Sequence, residues 1–222
     1  MGVATVQVGP SINAPFDGTM GFSKAPLSET DNSTVVDRLY EQGQIKKRMA
    51  CLKLHTQNEE KDSEMIIGGC DVEADYWLPV LGESYWAVTL TKIILRSPTD
   101  NTELLSLDVN VQAVLDTGDP NSLHLPERFV NPLNDKLGGS WNGNHYIVDC
   151  DTRKSFPNME LYFGEAKITF TTDDYSWLYF DECQLALKPR TYDEVLVPLQ
   201  FFFKATVILD SGNNRVGLAN IK

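Results

Sequence analysis

No run of about eighteen apolar residues occurs anywhere in the 222-residue chain, so no membrane-spanning helix and no membrane partner is expected. Basic charge is scarce: 19 Lys and Arg stand against 31 Asp and Glu, a formal charge of −12. A surface so acidic repels phosphate backbones, which argues against nucleic acid as a partner. There is no CxxC pair, and the three histidines are isolated from one another, so a zinc site is not expected. Gly-rich phosphate cradles are missing too, and with them any sign of a nucleotide cofactor; the expectation is no cofactor and no metal. The opening residues MGVATVQVGP have neither the basic start nor the apolar core of a signal peptide, and they match a myristoylation pattern poorly. Low-complexity segments and flexible linkers are also missing.

What is present reads mostly as strands. VATVQV, MACLKLH, EMIIGG, YWAVTLTKIIL, VNVQAVL, HYIVDC, MELYFG, AKITF, FFFKATVIL and RVGLA are rich in β-branched and aromatic residues, and Gly, Asn, Asp or Pro separates most of them. Asn213-Asn214 predicts a tight hairpin between the last two runs. Two helices interrupt the pattern. Val35, Val36, Leu39 and Tyr40 make one apolar stripe, with Asp31 to Ser33 as cap candidates and Gly43 as a stop. Phe129, Leu133 and Leu137 make the other, opened by Pro126, kinked at Pro132 and closed by Gly138. Many strands with a few short helices predict an all-β fold, a sandwich or a barrel.

Four cysteines allow three pairings. Cys150 and Cys183 each end or follow a strand, and closing their loop of about 33 residues would stabilise by roughly 3–4 kcal/mol. Cys51 and Cys70 lie in runs folded about the acidic turn near Asn58 to Ser63 and could face each other; equally, Cys51 could be a free core thiol. Oxidised cysteines would imply a secretory compartment.

The segment AVLDTG delivers Asp116 from an apolar run onto a turn of Thr117 and Gly118. Gly permits a close turn, and Thr is able to bond neighbouring backbone. A half-buried carboxylate there suits acid–base work, provided a second one faces it and the two share a proton. Three residues alone are weak, since an ordinary Asp turn after a strand reads the same way.

The remainder of the chain resembles the pepsin-like aspartic peptidases from end to end. TVQVG with APFDGTMGFS resembles the end of that family's first lobe, and VVDRLYEQGQI the helix that follows. IIGGCDVEADY resembles its Gly-Gly-x-Asp turn, and LPVLGESYWAVTLTKIIL the crossing into the second lobe. AVLDTG matches the second catalytic loop, FPNMELYFG a later strand, and ATVILDSGNNRVGLAN the C-terminal hairpin. The resemblance implies a pepsin-like acid protease fold in truncated form, with a remnant of the first lobe over 1–83 and a complete second lobe over 84–222. It also implies a disulfide between cysteines spaced like Cys150 and Cys183. Asp116 becomes the catalytic candidate, with Thr117, Gly118 and Asp119 as its active-site loop.

In that family each lobe carries one Asp-Thr/Ser-Gly and a later apolar-apolar-Gly segment that supports it. The first support is matched by Thr19-Met20-Gly21, but no catalytic loop precedes it; the expectation places the family's first Asp, and the substrate-covering hairpin, upstream of Met1. Asp210, in VILDSGNN, is a decoy, because it aligns with the non-catalytic hairpin of the same lobe as Asp116. Two departures touch the site. Asp119 and Pro120 stand where the family has Thr or Ser, and Leu196-Val197-Pro198 stands for the second support. A second carboxylate beside Asp116 is expected to raise the pair's apparent pKa, and Pro fixes φ where Gly would allow close approach.

Elsewhere Asn32-Ser33-Thr34 is a glycosylation pattern, while His55, His124 and His145 are isolated. The aromatics of YWAV and YSWLYF read as packing. Two functions follow. One is an aspartic endopeptidase acting on peptide or protein substrates, secreted or lysosomal/vacuolar, whose missing first-lobe segment supplies the second carboxylate. The other is a catalytically dead homologue that keeps the cleft as a peptide- or protein-binding module. A second copy of the chain, pairing Asp116 with itself as retroviral peptidases do, is a further partner. This chain alone is expected to be inactive.

Overall fold

The computed structural model describes residues 20–28, 32–56 and 58–222. Helix α1 (Val35–Glu41) leads to β1 (Met49–Lys53), β2 (Glu64–Ile67), β3 (Tyr76–Pro79), β4 (Ala87–Arg96), β5 (Glu103–Leu115) and β6 (Leu123–Pro126). Then come α2 (Glu127–Leu137), β7 (Ser140–Trp141), β8 (Tyr146–Val148), α3 (Cys150–Arg153), β9 (Asn158–Phe163), β10 (Ala166–Phe170) and α4 (Thr172–Tyr175). The chain closes with β11 (Ser176–Tyr179), β12 (Glu182–Leu185), β13 (Leu187–Arg190), β14 (Glu194–Val197), β15 (Thr206–Asp210) and β16 (Arg215–Ala219). The architecture is all-β with four short α-helices among the described residues.

Three sheets form. The order β2-β1-β15-β16-β3 makes a five-stranded sheet, β10-β9-β4-β5-β14-β6-β13 a seven-stranded one, and β11-β12-β8-β7 a four-stranded one. The five-stranded sheet therefore joins strands from both ends of the chain, Ala50 facing Leu209 and Val216 facing Leu78. Most of the buried apolar side chains form one core. Leu90, Ile93 and Leu95 of β4 meet Met159 and Leu161 of β9, all fully buried, and Phe163 packs edge-on against Phe201 at 5.4 Å.

The long strand β5 changes character along its length. Its first half alternates exposed and half-buried residues, whereas Ala113, Val114 and Leu115 are all buried because neighbours cover both faces. A bulge separates the halves: one residue of β4 opposes two of β5, and Asn110 takes φ of +49°. A bulge bends and twists its strand, here just ahead of the segment that reaches Asp116.

Local chemistry explains most boundaries. The cap of α1 is Thr34, not the Asp31 to Ser33 stretch expected from sequence; its Oγ1 accepts the Asp37 N–H while Asp37 reaches back, closing a capping box. Asp31 lies outside the described residues, and Gly43 stops the helix at φ +69°. Helix α2 ends as expected at Gly138, φ +69°. The expected VATVQV strand and Thr19 lie outside the described residues, while Met20 is exposed and irregular. The FFF of FFFKATVIL is not strand: Leu199–Phe203 is a 3-10 turn opened by Pro198, whose missing N–H ends β14. The final hairpin turns through four residues, Ser211 to Asn214, with Asn214 at φ +51°.

Both cysteine pairs are bridged. Cys150 joins Cys183, and Cys51 joins Cys70, so the free-thiol alternative for Cys51 is overturned. Cys183 lies inside β12 and Cys150 opens α3, while Cys70 follows β2 in a loop.

Candidate active site

Strand β5 runs out at Leu115, and the next residue, Asp116, is held by its neighbours in space. Parallel pairing sets Leu115 of β5 against Val197 of β14, and the Asp116 N–H continues the ladder onto the Val197 carbonyl at 2.9 Å. The Leu115 N–H bonds the Trp86 carbonyl at 2.9 Å, and the Leu199 N–H bonds the Asp119 carbonyl at 2.9 Å. The loop from Asp116 to Asp119 is thus fastened at both ends to the segment around Pro198. Asp116 is half-buried, and its Oδ1 accepts the Gly118 N–H at 2.7 Å. A Cβ on Gly118 would lie 3.0 Å from that oxygen, so any larger residue there would press on the Asp116 carboxylate. Thr117 departs from expectation: it is exposed, and its side chain bonds no neighbouring backbone among the described residues.

Asp119 overturns the expectation of a coupled acid pair. Its Oδ1 accepts the N–H groups of Asn121 at 3.1 Å and Ser122 at 2.9 Å, and its Oδ2 lies 2.7 Å from His124 Nε2. Burial pushes the Asp119 carboxyl up, but the Ser122 and Asn121 N–H groups and the His124 ring together outweigh it, and the net shift is downward. A carboxylate satisfied this way closes its own turn and stays charged. Sequence reading passed over His124, because five residues of separation carry no periodic signal for such a pair.

Three strands build the cleft floor. Leu196 of β14 pairs with His124 of β6, and His124 pairs in parallel with Lys188 of β13. Residues opposite one another in a sheet share a face, and Leu196, His124 and Lys188 line one open cleft of about 430 Å³ with Asp116 and Asp119. His145 and Trp177 close its far side, with ring centroids 6.2 Å apart and planes 80° to each other. Burial, then the Lys188 charge, pulls the His145 pKa down. Its Nδ1 is buried with no hydrogen-bond partner among the described residues. Trp177 was read as packing alone; it also lines the cleft, as does His145.

The other candidates sort themselves by position. Asp210 is 2% exposed in the five-stranded sheet, where it takes the Asn213 N–H, Asn213 Nδ2 at 2.8 Å and Arg215 Nε at 2.8 Å. It closes a hairpin and does not line the cleft of Asp116. His55 Nδ1 lies 2.9 Å from Glu59, whose carboxyl is drawn to about 2 by Lys222 and then by His55 itself. Among the described residues one His/Cys/Asp/Glu group has metal-like spacing, Cys51, Cys70 and Asp71, but its two sulfurs are joined as a disulfide. No helix among the described residues is long and apolar enough to cross a membrane.

Comparison with known proteins adds a frame. The family model described as eukaryotic aspartyl protease matches residues 1–221. Pepsin A of Suncus murinus is 25% identical over 220 residues, covering 94% of this chain and 54% of that protein. Pepsin II-1 of Oryctolagus cuniculus is 27% identical over 93% of this chain and 54% of its own length, and pepsin A of Sus scrofa 26% over 94% and 55%. The chain thus spans about half the length of these curated relatives.

Proposed function

Because the chain belongs to the eukaryotic aspartyl protease family, we propose that its cleft is one half of a pepsin-like peptide-cleaving site, with Asp116 as the carboxylate it contributes. The observation that carries this reading is the Asp116 loop: a half-buried carboxylate on a glycine turn, fastened through Val197 to a parallel strand, on the floor of an open cleft. Aspartic peptidases need two carboxylates sharing one proton, the charged one activating water and the protonated one donating to the scissile carbonyl. Asp119 does not serve as the partner, since its oxygens are taken by its own turn and by His124. Asp210 does not serve either, since Arg215 and Asn213 hold it in another sheet. On this reading residues 84–222 are the second lobe and 1–83 belong with the first, the partner carboxylate comes from another segment or a second chain, and the substrate is a peptide or unfolded protein. Two disulfides support a secreted or lysosomal/vacuolar setting.

A second reading, a peptide-binding homologue without catalysis, is favoured by one observation. The position after Gly118 is occupied by an acid committed to His124, and Pro198 stands behind the loop. Incubating the purified 222-residue chain with denatured casein across acidic pH, beside an Asp116→Ala control, tests the assignment. The expected result is no cleavage by either protein. Cleavage lost on Asp116→Ala would mean that Asp116 pairs with its copy in a second chain, whereas cleavage that survives the substitution would overturn the assignment of Asp116.

A further inference from the structure

The cleft of Asp116 and Asp119 also carries a cation. Lys188 lines the cleft, yet it makes no ion pair among the described residues. Of the two acids that line the cleft with it, Asp119 is bound by His124 and two backbone N–H groups, and Asp116 accepts the Gly118 N–H. Other lysines of this acidic chain do face an acid, Lys53 with Glu64, Lys92 with Asp108 and Lys167 with Glu160, but none of these lines the cleft of Asp116. Lys188 is left toward the cleft because β13 pairs with β6 at His124, which turns both side chains to the same face.

We propose that Lys188 makes this cleft selective for peptides that place an acidic side chain beside Asp116, an inference that rests on the peptide-cleft reading above. The carboxylate would take a charge-assisted bond from the Lys188 ammonium. His145 supplies a polar ring next to it, and Trp177 an apolar face for the methylenes of Asp or Glu. A polyphosphate ligand does not suit so acidic a protein, because the long-range field repels it. A single carboxylate inside the cleft, close to Lys188 and within one Debye length, meets the local charge instead.

The source of the carboxylate, a side chain or a peptide C-terminus, is separated by the probes. Three decapeptides with acetylated and amidated ends differ only at one central residue, Glu, Gln or Lys; a fourth has Gln there and a free C-terminus. Binding is followed by the intrinsic tryptophan fluorescence, to which Trp177 of the cleft contributes, at about pH 6, where Glu is ionised. The Glu peptide is expected to bind about tenfold tighter than the Gln peptide, the worth of one bond to a charged group. Lys188→Gln abolishes that preference, Lys188→Arg restores it, and the surface variant Lys92→Gln leaves it intact. Equal binding of the amidated Glu and Gln peptides, or a preference that survives Lys188→Gln, overturns the inference alone. A tenfold gain shown only by the free C-terminus overturns the side-chain assignment. No binding by any peptide overturns the peptide-cleft reading and this inference with it.

Discussion

Replacing Asp119 by alanine removes the acceptor on which the turn after Asp116 closes. Three contacts are lost at once: the Asn121 and Ser122 N–H groups at 3.1 and 2.9 Å, and His124 Nε2 at 2.7 Å. A neutral hydrogen bond is worth about 0.5–1.5 kcal/mol net, and one to a charged group more. Water reaches this turn, since the side chain is 17% exposed, so the sum is discounted to about 2 kcal/mol. For a chain of this size that lowers Tm by about 4–8 °C. Asp119→Asn keeps an oxygen for the two N–H groups and loses the charge facing His124, and is expected to cost about half as much. The pH dependence is the sharper test. The native carboxyl is held below its ordinary value, so its contribution is full above the unfolded pKa of about 3.9 and is lost as pH falls through the lower native value. The stability difference between wild type and Asp119→Ala, from urea unfolding, should therefore not fall between neutrality and about pH 4. If it collapses between about pH 6 and 5, Asp119 shares a proton with another acid, and the reasoning fails.

Three further outcomes follow from the packing. Replacing both Cys150 and Cys183 by serine opens their 33-residue separation and should cost about 3–4 kcal/mol in urea unfolding, while non-reducing digestion of the wild type recovers the linked peptides. Tyr175→Phe strands the Pro157 carbonyl, which the buried phenol now meets at 2.6 Å, at a cost of about 1–2 kcal/mol; because burial pushes that phenol up, alkaline ultraviolet titration should leave it the last tyrosine to ionise. Arg215→Met removes both the partner of buried Asp210 and the cation lying 3.6 Å over the Trp77 ring, and should destabilise by about 3 kcal/mol; a loss near zero would mean that Asn213 alone satisfies the acid.

Strands were legible in the sequence wherever apolar runs met turn residues, as at β5, β9, β10 and the closing hairpin. Helix α2 announced itself through Phe129, Leu133, Leu137 and Gly138, but α3 and α4, four residues each, are too short to show a period. Phe201 to Phe203 misled for the opposite reason: three aromatics read as strand, while Pro198 and the packing of Phe201 on Phe163 bend them into a 3-10 turn. For the site, the order of residues by itself determined the AVLDTG turn and the oddity of Asp119 and Pro198, because these depend on covalent neighbours. Only tertiary structure decided what Asp119 does and where Lys188 points. Those follow from the parallel pairing of β13 with β6 and of β14 with β5, which brings together residues more than sixty positions apart. Register of that kind is settled by the burial of whole strand faces at once, and no local stretch of sequence contains it.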